Sequence, residues 1–321
     1  MSTPARSRDI RIAIVGEGAM GRTHAQVLSA LPDVTLTALV ARDLAAGRAL
    51  CAQFGIPALL SDVAECAARA DVDALVVASP SGLHVAHACA SLDAGKPCLV
   101  EIPVGLSLAQ AQALAQRQRD TGAVVMAAHS RRFSPAHRLM KARIAERTFH
   151  LHHLVVETYF LRRSNLNMLG EPRSWTDNLL WHHACHSVDL AAWLLDGETF
   201  DVWGQRGPLH ASLGIPMDMT IGLCGRSTGT LVTLALSFNN KGPFGGFYRY
   251  IGEEDTVRVH RDEALDGDGN AIPLGGAAFA DQDRAFVEAV RSGQTPESDI
   301  HSVLPAMTLL ARIEETMEAA R

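Results

Sequence analysis

At 321 residues the chain is long enough for roughly two domains of about 100–200 residues each, and 47% apolar residues are enough for two cores. Charged residues at 20% exclude an acidic disordered chain. The net charge of −6 argues against nucleic acid as a partner, because a phosphate backbone needs a basic face, but it leaves room for a small anionic substrate held by a few local arginines.

The first 128 residues alternate short apolar runs with alanine-rich helical stretches. The runs are Arg11–Val15, Val34–Val40, Val72–Ala78, Cys98–Val100 and Ala123–Ala128. Their length and lack of alternation suit parallel strands covered on both faces. Helices are expected over Thr23–Ala30, Leu44–Phe54, Val63–Ala70, Leu83–Ala94 and Leu108–Thr121, with Asp62 and Ser107 as N-caps and Gly95 and Gly122 as stops. Repeated βα units predict an α/β Rossmann domain with a doubly wound parallel sheet over residues 1–130.

The pattern changes over residues 131–321. Ser134-Pro135 opens a helix, Phe149–Phe160 reads as a long strand, and Leu161–Ser174 is a polar loop rich in Arg and Asn. Asn178–Leu195 reads as one helix. Strand-like runs follow at Phe200–Gly204, Met217–Leu223, Gly229–Ser237, Phe247–Ile251 and Val257–His260, joined by turns rather than helices. They predict an α+β domain with an open, mainly antiparallel sheet, closed by helices Ala280–Arg291 and Ser302–Ala320. The polar start Met1–Arg8 is followed by no apolar leader, and no run reaches the length of a membrane span. The cysteines, Cys51, Cys66, Cys89, Cys98, Cys185 and Cys224, are scattered without a metal or redox spacing. A cytoplasmic protein with no membrane partner is expected.

Gly16-Glu17-Gly18-Ala19-Met20-Gly21 is a G-x-G-x-x-G element between a strand and a helix, the setting in which it binds a dinucleotide. Gly16 permits a tight turn, Gly18 lets the backbone approach a pyrophosphate, and Gly21 lets the helix pack on the strand. At the end of the second strand, Val40-Ala41-Arg42-Asp43 has no acid at position 41. Arg42 suits a 2′-phosphate and hence NADP; Asp43 is either a ribose acid, which would allow NAD, or the N-cap of the next helix.

Positions 182, 186 and 189 fall at i, i+4 and i+7 of the middle helix, so His182, His186 and Asp189 are expected on one stripe. A histidine there suits a general base for a dehydrogenation, with the second histidine as relay or substrate contact and the aspartate orienting an imidazole or anchoring the helix. His182, His183 and His186 also raise zinc, but His183 points about 100° away from His182, so no metal is expected. Arg131, Arg132, Arg162, Arg163 and Arg173, with Asn165, Asn239 and Asn240, are candidates to hold substrate carboxylates, Arg132 and Arg173 foremost.

The chain resembles the glucose–fructose oxidoreductase and inositol dehydrogenase family (Gfo/Idh/MocA) along nearly its whole length. The resemblance rests on the glycine loop with His24, Ser79-Pro80 followed by His84, Gly95-Lys96-Pro97 leading to Glu101-Ile102-Pro103, Arg132-Phe133-x-Pro135, and His182 to Asp189. It implies that Ser79, Pro80, His84, Glu101 and Ile102 contact the coenzyme and that His186 is the catalytic histidine; Trp175 is a candidate wall for the nicotinamide or a packing residue. It also implies a homodimer or larger homo-oligomer formed through the open sheet. Two positions depart from the family: Ile102 stands where a lysine is usual, and His182 where an aspartate is usual. Both departures, with Tyr159-Phe160-Leu161-Arg162-Arg163, the run Gly170–Asp177, Leu180-Trp181-His182-His183 and Leu236-Ser237-Phe238-Asn239-Asn240, are similar to one branch of the family. That branch oxidises the cyclic hemiacetal of an aromatic ring-cleavage product to a pyrone dicarboxylate with NADP. Two other readings stand beside it: a sugar or polyol dehydrogenase, and a dinucleotide-binding regulator without catalysis, for which Ile102 is the support.

Overall fold

The computed structural model describes residues 9–166, 170, 172–173, 175–261 and 263–319. The start Met1–Arg8, and Glu171 and Ser174 of the run 170–177, lie outside the described residues. The chain divides into two units, one of residues 1–128 with 279–302, the other of residues 129–278 with 303–321.

The first unit runs β1 (Ile10–Val15), α1 (Ala19–Ser29), β2 (Val34–Val40), α2 (Leu44–Phe54), β3 (Ala58–Leu60), α3 (Val63–Ala67), β4 (Ala74–Val77), α4 (His84–Asp93), β5 (Cys98–Val100), α5 (Leu108–Thr121) and β6 (Val125–Ala127). The six strands are parallel in the order β3-β2-β1-β4-β5-β6, the doubly wound dinucleotide-binding order. Ile12, Ala13, Ile14 and all of β4 and β5 are fully buried, as strands covered on both faces must be. Asp62 and Ser107 cap α3 and α5 by accepting from Glu65 and Gln110 N–H, and Gly122 ends α5 in the left-handed conformation. Helix α1 starts at Ala19, four residues before its expected start, because Gly18 is its N-cap and brings the helix directly onto the glycine loop.

The domain limits need one correction. Residues 279–302, expected in the second domain, belong to the first unit. Ion pairs too distant in sequence to be read from it hold them there. In α8 (Ala278–Ser292), Arg284 and Arg291 both pair with Asp33, and Asp283 pairs with His24. Ser298 completes the attachment by hydrogen bonding at the β6 edge.

His24 lies fully buried between two carboxylates: Nδ1 donates to Asp283 at 2.9 Å and Nε2 to Glu101 at 3.0 Å. Burial alone would favour the neutral ring, but the two acids outweigh it and hold the ring's pKa up at about 10. The folded state therefore keeps a proton that an unfolded histidine loses near its reference value of about 6.5. The resulting stabilisation is complete below that pH and is lost as pH rises toward 10, at up to about 1.4 kcal/mol per pH unit. Denaturation midpoints measured across this window should fall with rising pH. A His24→Gln protein, less stable throughout, should lack that part of the slope.

The second unit holds α6 (Pro135–Ala145), β7 (Leu151–Tyr159), α7 (Cys185–Leu194), β8 (Phe200–Arg206), β9 (Asp218–Gly225), β10 (Leu231–Ser237), β11 (Gly245–Gly252), β12 (Thr256–His260), β13 (Glu263–Leu265) and the body of α9 (Ile300–Ala319). Its seven-stranded sheet has the order β13-β12-β11-β7-β10-β9-β8 and is antiparallel except for the pair β7 and β10. One face is buried: Leu154, Val156, Ile221, Leu223, Val232, Leu234, Tyr250 and Val257 point into it. Gly204 lies on the same face, where a Cβ would strike Met317 of α9. The other face is open. It carries exposed Trp203 and Leu231 and a recess lined by Glu157, Phe247, Arg249, Arg258 and His260. Among the described residues, no helix is long and apolar enough to cross a membrane.

Candidate active site

The glycine loop of the first unit has the form a dinucleotide needs. Gly16 sits at φ +120°, and a Cβ there would lie 2.4 Å from the Ala78 carbonyl oxygen. A Cβ on Gly21 would lie 1.9 Å from the Gly16 carbonyl oxygen, whereas a Cβ on Gly18 would meet nothing within 4 Å. Two glycines are thus required for packing, and the third leaves open space before the N-terminus of α1. This is the cradle of a pyrophosphate. Ala19 and Met20 form the first turn of that helix. Asp43 is the N-cap of α2, its carboxylate accepting from Ala45 and Ala46 N–H, and Arg42 is exposed beside it.

At the carboxyl ends of β4 and β5, His84 and Glu101 are buried, and Ser79, Pro80 and Ile102 are half-buried. The His84 ring bridges the carbonyl oxygens of Ser79 at 2.7 Å and Pro103 at 2.8 Å. This ties the loop carrying Ser79 and Pro80 to the segment Glu101-Ile102-Pro103, whose last peptide bond is cis. Glu101 accepts from Ile102 N–H as well as from His24, so its carboxylate is fixed from both sides.

In the second unit the middle helix does not form as one α-helix. Leu179–Ala184 is a π-helical turn, capped by the Asn178 side chain, and α7 begins only at Cys185. The i→i+5 turn interrupts the uniform α-helical spacing from which one stripe of His182, His186 and Asp189 is expected. His182 stacks on Trp175 at 5.0 Å and accepts the Asn178 backbone N–H. Asp189 is fully buried and is taken by Arg132, through paired bonds of 2.9 and 2.6 Å, with His129 Nδ1 at 3.3 Å. The structure therefore corrects two expectations. Arg132 is 2% exposed with its guanidinium fork committed to Asp189, so it anchors rather than binds a substrate carboxylate; and Asp189 orients Arg132 and His129, not His182 or His186.

His186 is partly exposed, and its Nδ1 is buried without a hydrogen-bond partner among the described residues. Burial, then the charges of Arg131, His129 and His183, holds its pKa well below the ordinary histidine value. At neutral pH it is a neutral imidazole able to take a proton. Arg131 is half-buried, with Nε donating to the Tyr248 hydroxyl at 2.9 Å.

The second cluster centres on Asp177, a residue to which sequence reasoning gave no role. It is 4% exposed and receives Arg162 at 2.6 Å, His183 at 3.1 Å and Arg173 at 2.5 Å. Burial opposes its ionisation, but His183, Arg173 and His182 outweigh burial and hold the carboxyl below its ordinary range. One carboxylate does not satisfy two guanidiniums. Among the described residues, Arg162 Nη1 and Arg173 Nε and Nη2 are buried donors without a partner. Arg162 also lies over the Phe238 ring and Arg173 over Trp175. The one signal for Asp177 was its spacing four residues after Arg173. Asn165 braces the loop by donating to the carbonyls of Arg173 and Trp175, and Asn240 donates to the Pro243 carbonyl. Arg163 and Asn239 are exposed and bond to each other, Arg163 also donating to the carbonyls of Arg162 and Phe238. Among the described residues, no three His, Cys, Asp or Glu side chains group as metal ligands.

Residues 10–129 match the model of an oxidoreductase family with an NAD-binding Rossmann fold, and residues 135–278 match that of a bacterial oxidoreductase C-terminal domain. The chain belongs to the Gfo/Idh/MocA family and is a dehydrogenase of CH–OH groups that uses a nicotinamide coenzyme. Over 314 residues it is 38% identical to the 4-carboxy-2-hydroxymuconate-6-semialdehyde dehydrogenase of Sphingobium sp. strain SYK-6, covering 96% of this chain and 99% of that protein. Its fold matches the UDP-N-acetylglucosamine 3-dehydrogenase of Acidithiobacillus ferrooxidans with a TM-score of 0.83 at 21% identity, over 98% and 99% of the two chains. It also matches the scyllo-inositol dehydrogenase of Lactobacillus casei with bound NAD(H) and scyllo-inositol, with a TM-score of 0.81 at 18% identity over 98% of each chain.

Proposed function

We propose that the protein is an NADP-dependent dehydrogenase that oxidises the cyclic hemiacetal of 4-carboxy-2-hydroxymuconate-6-semialdehyde to 2-pyrone-4,6-dicarboxylate. The observation that carries this reading is the set of three guanidinium nitrogens on Arg162 and Arg173 that have no hydrogen-bond partner among the described residues. Buried cations with free donors favour a planar anion, which can accept paired bonds, over a neutral polyol. The end-to-end likeness to the Sphingobium enzyme supports the same substrate.

The coenzyme, when bound, supplies the hydride acceptor. Gly16, Gly18, Ala19, Met20 and Gly21 would hold its pyrophosphate, Arg42 its 2′-phosphate, and Ser79, Pro80, His84, Glu101 and Ile102 the far end of the molecule. Arg162 and Arg173 hold a substrate carboxylate, and Asp177 keeps both guanidiniums in place. His186 takes the hydroxyl proton as the hemiacetal carbon gives up its hydride to the coenzyme and C–OH becomes C=O, turning the cyclic hemiacetal into the lactone. A hemiacetal hydroxyl is more acidic than that of a simple alcohol, so Ile102 in the usual place of a lysine cation is compatible with the reaction. Mixing the protein with the semialdehyde and NADP should raise the absorbance of reduced coenzyme and yield the pyrone. Turnover of inositols instead, or none of either, would overturn the reading.

Two further expectations belong to it. Arg173→Met should raise KM for the dicarboxylate about 10–100-fold, the worth of a charge-assisted bond, with a smaller change in kcat; an unchanged KM in steady-state rates would place the anion elsewhere. The enzyme works in the cytoplasm as a homodimer joined through the open sheet face bearing Trp203 and Leu231, and light scattering tests the assembly.

A further inference from the structure

Glu17 occupies the second position of the glycine loop, but its side chain does not stay there. Its carboxylate reaches the end of β2 and accepts the backbone N–H of Arg42 at 3.3 Å and of Asp43 at 3.0 Å. In a doubly wound fold of this strand order, the turn after β2 meets the adenosine ribose. An acid there accepts the 2′-hydroxyl of NAD, and a cation there accommodates the 2′-phosphate of NADP. The strand ends at Val40 with Ala41 next in the chain, and the Asp43 carboxylate is spent on capping α2. The acid missing from β2 arrives from the neighbouring loop.

We propose that Glu17 is a coenzyme-selecting residue: its carboxylate stands at the ribose 2′ position, accepts the hydroxyl of NAD, and opposes the phosphate of NADP that Arg42 attracts. This rests on the coenzyme reading above and deepens it. A 2′-phosphate needs N–H donors and carries a charge of about −1.5 to −2. At this turn it meets two donors already occupied by a group of its own sign. To bind, it must displace the Glu17 side chain. NAD makes no such demand. The wild-type protein therefore accepts both coenzymes, and loss of Glu17 both removes a like charge and frees two N–H groups that point at one place.

The test is direct binding, independent of turnover. Protein fluorescence is titrated with NADPH and with NADH, and calorimetry follows adenosine 2′,5′-bisphosphate and 5′-AMP, for wild type, Glu17→Gln and Glu17→Ala. Both variants should raise the ratio of the NADH Kd to the NADPH Kd by about tenfold or more, mainly by tightening NADPH, and the bisphosphate should gain over 5′-AMP in parallel. The gain should shrink at high salt, since the turn is exposed. Glutamine can still accept from the two N–H groups, so alanine is the fuller removal. A ratio that stays put in both variants, or moves toward NADH, overturns the proposal while coenzyme binding itself stands. A wild-type protein that binds neither coenzyme overturns the dehydrogenase reading and this proposal with it.

Discussion

Replacing His186 with asparagine should lower kcat for hemiacetal oxidation by about 10²–10⁴-fold, the usual worth of a positioned general base, with little change in the melting midpoint. Asparagine retains a polar group near the imidazole but cannot take the proton. The pH profile sharpens the expectation. Burial and the nearby charges of Arg131, His129 and His183 hold the His186 pKa well below the ordinary value, so the ring is already neutral at pH 6.5 and above. The acid limb of kcat/KM should therefore lie well below 6.5, with activity level on that side through neutrality. Removing the charge with Arg131→Met should move the limb upward, because one of the causes of the depression is gone. A limb near 6.5 in the wild type, or wild-type turnover in His186→Asn, would show that another group takes the proton.

Breaking the Arg132–Asp189 pair should produce the largest loss of stability. Both side chains are buried, at 2% and 0% exposure, and the two bonds between them are parallel and short. Arg132→Met leaves the Asp189 carboxylate buried with, among the described residues, His129 as its remaining ionisable neighbour, and the poorly compensated charge should cost about 3–5 kcal/mol. Urea denaturation gives the number directly. Arg132→Met paired with Asp189→Leu removes both charges and should recover much of the loss, as buried ion pairs replaced by apolar groups often do. If Arg132 were instead a substrate ligand, the single variant would be nearly as stable as wild type and would show its defect in KM. The two outcomes are distinct in one pair of measurements.

The residues proposed to hold the coenzyme were largely legible in the sequence. Gly16, Gly18 and Gly21 form a local motif, and each has a steric reason that depends on neighbours within one βα turn and the next strand. The residues proposed to hold the substrate were legible only in part. Arg162 and Arg173 were visible as cations on a polar loop, but so were Arg132 and Arg163, and residue type does not separate a buried fork committed to an aspartate from one with donors to spare. His186 was visible at the family's position, while the stripe that seemed to support it depended on an unbroken α-helix. The π-turn at Leu179–Ala184 interrupts that helix, and His182 stacks on Trp175.

By itself, the sequence determined the two sheets, their parallel and antiparallel character, the glycine cradle, the caps at Asp62 and Ser107, and the family. These follow from hydrophobic period, turn residues and steric limits, all of which act over a few residues. Only the tertiary structure decided which charge meets which. Asp283 reaches His24 across 259 positions and Asp189 takes Arg132 across 57, while Asp177 gathers Arg162 and His183, and Glu17 bends to the end of β2. The physical reason is that buried charges must be paired, and the partner is chosen by the packing that brings two elements together. No local pattern in the chain records that choice.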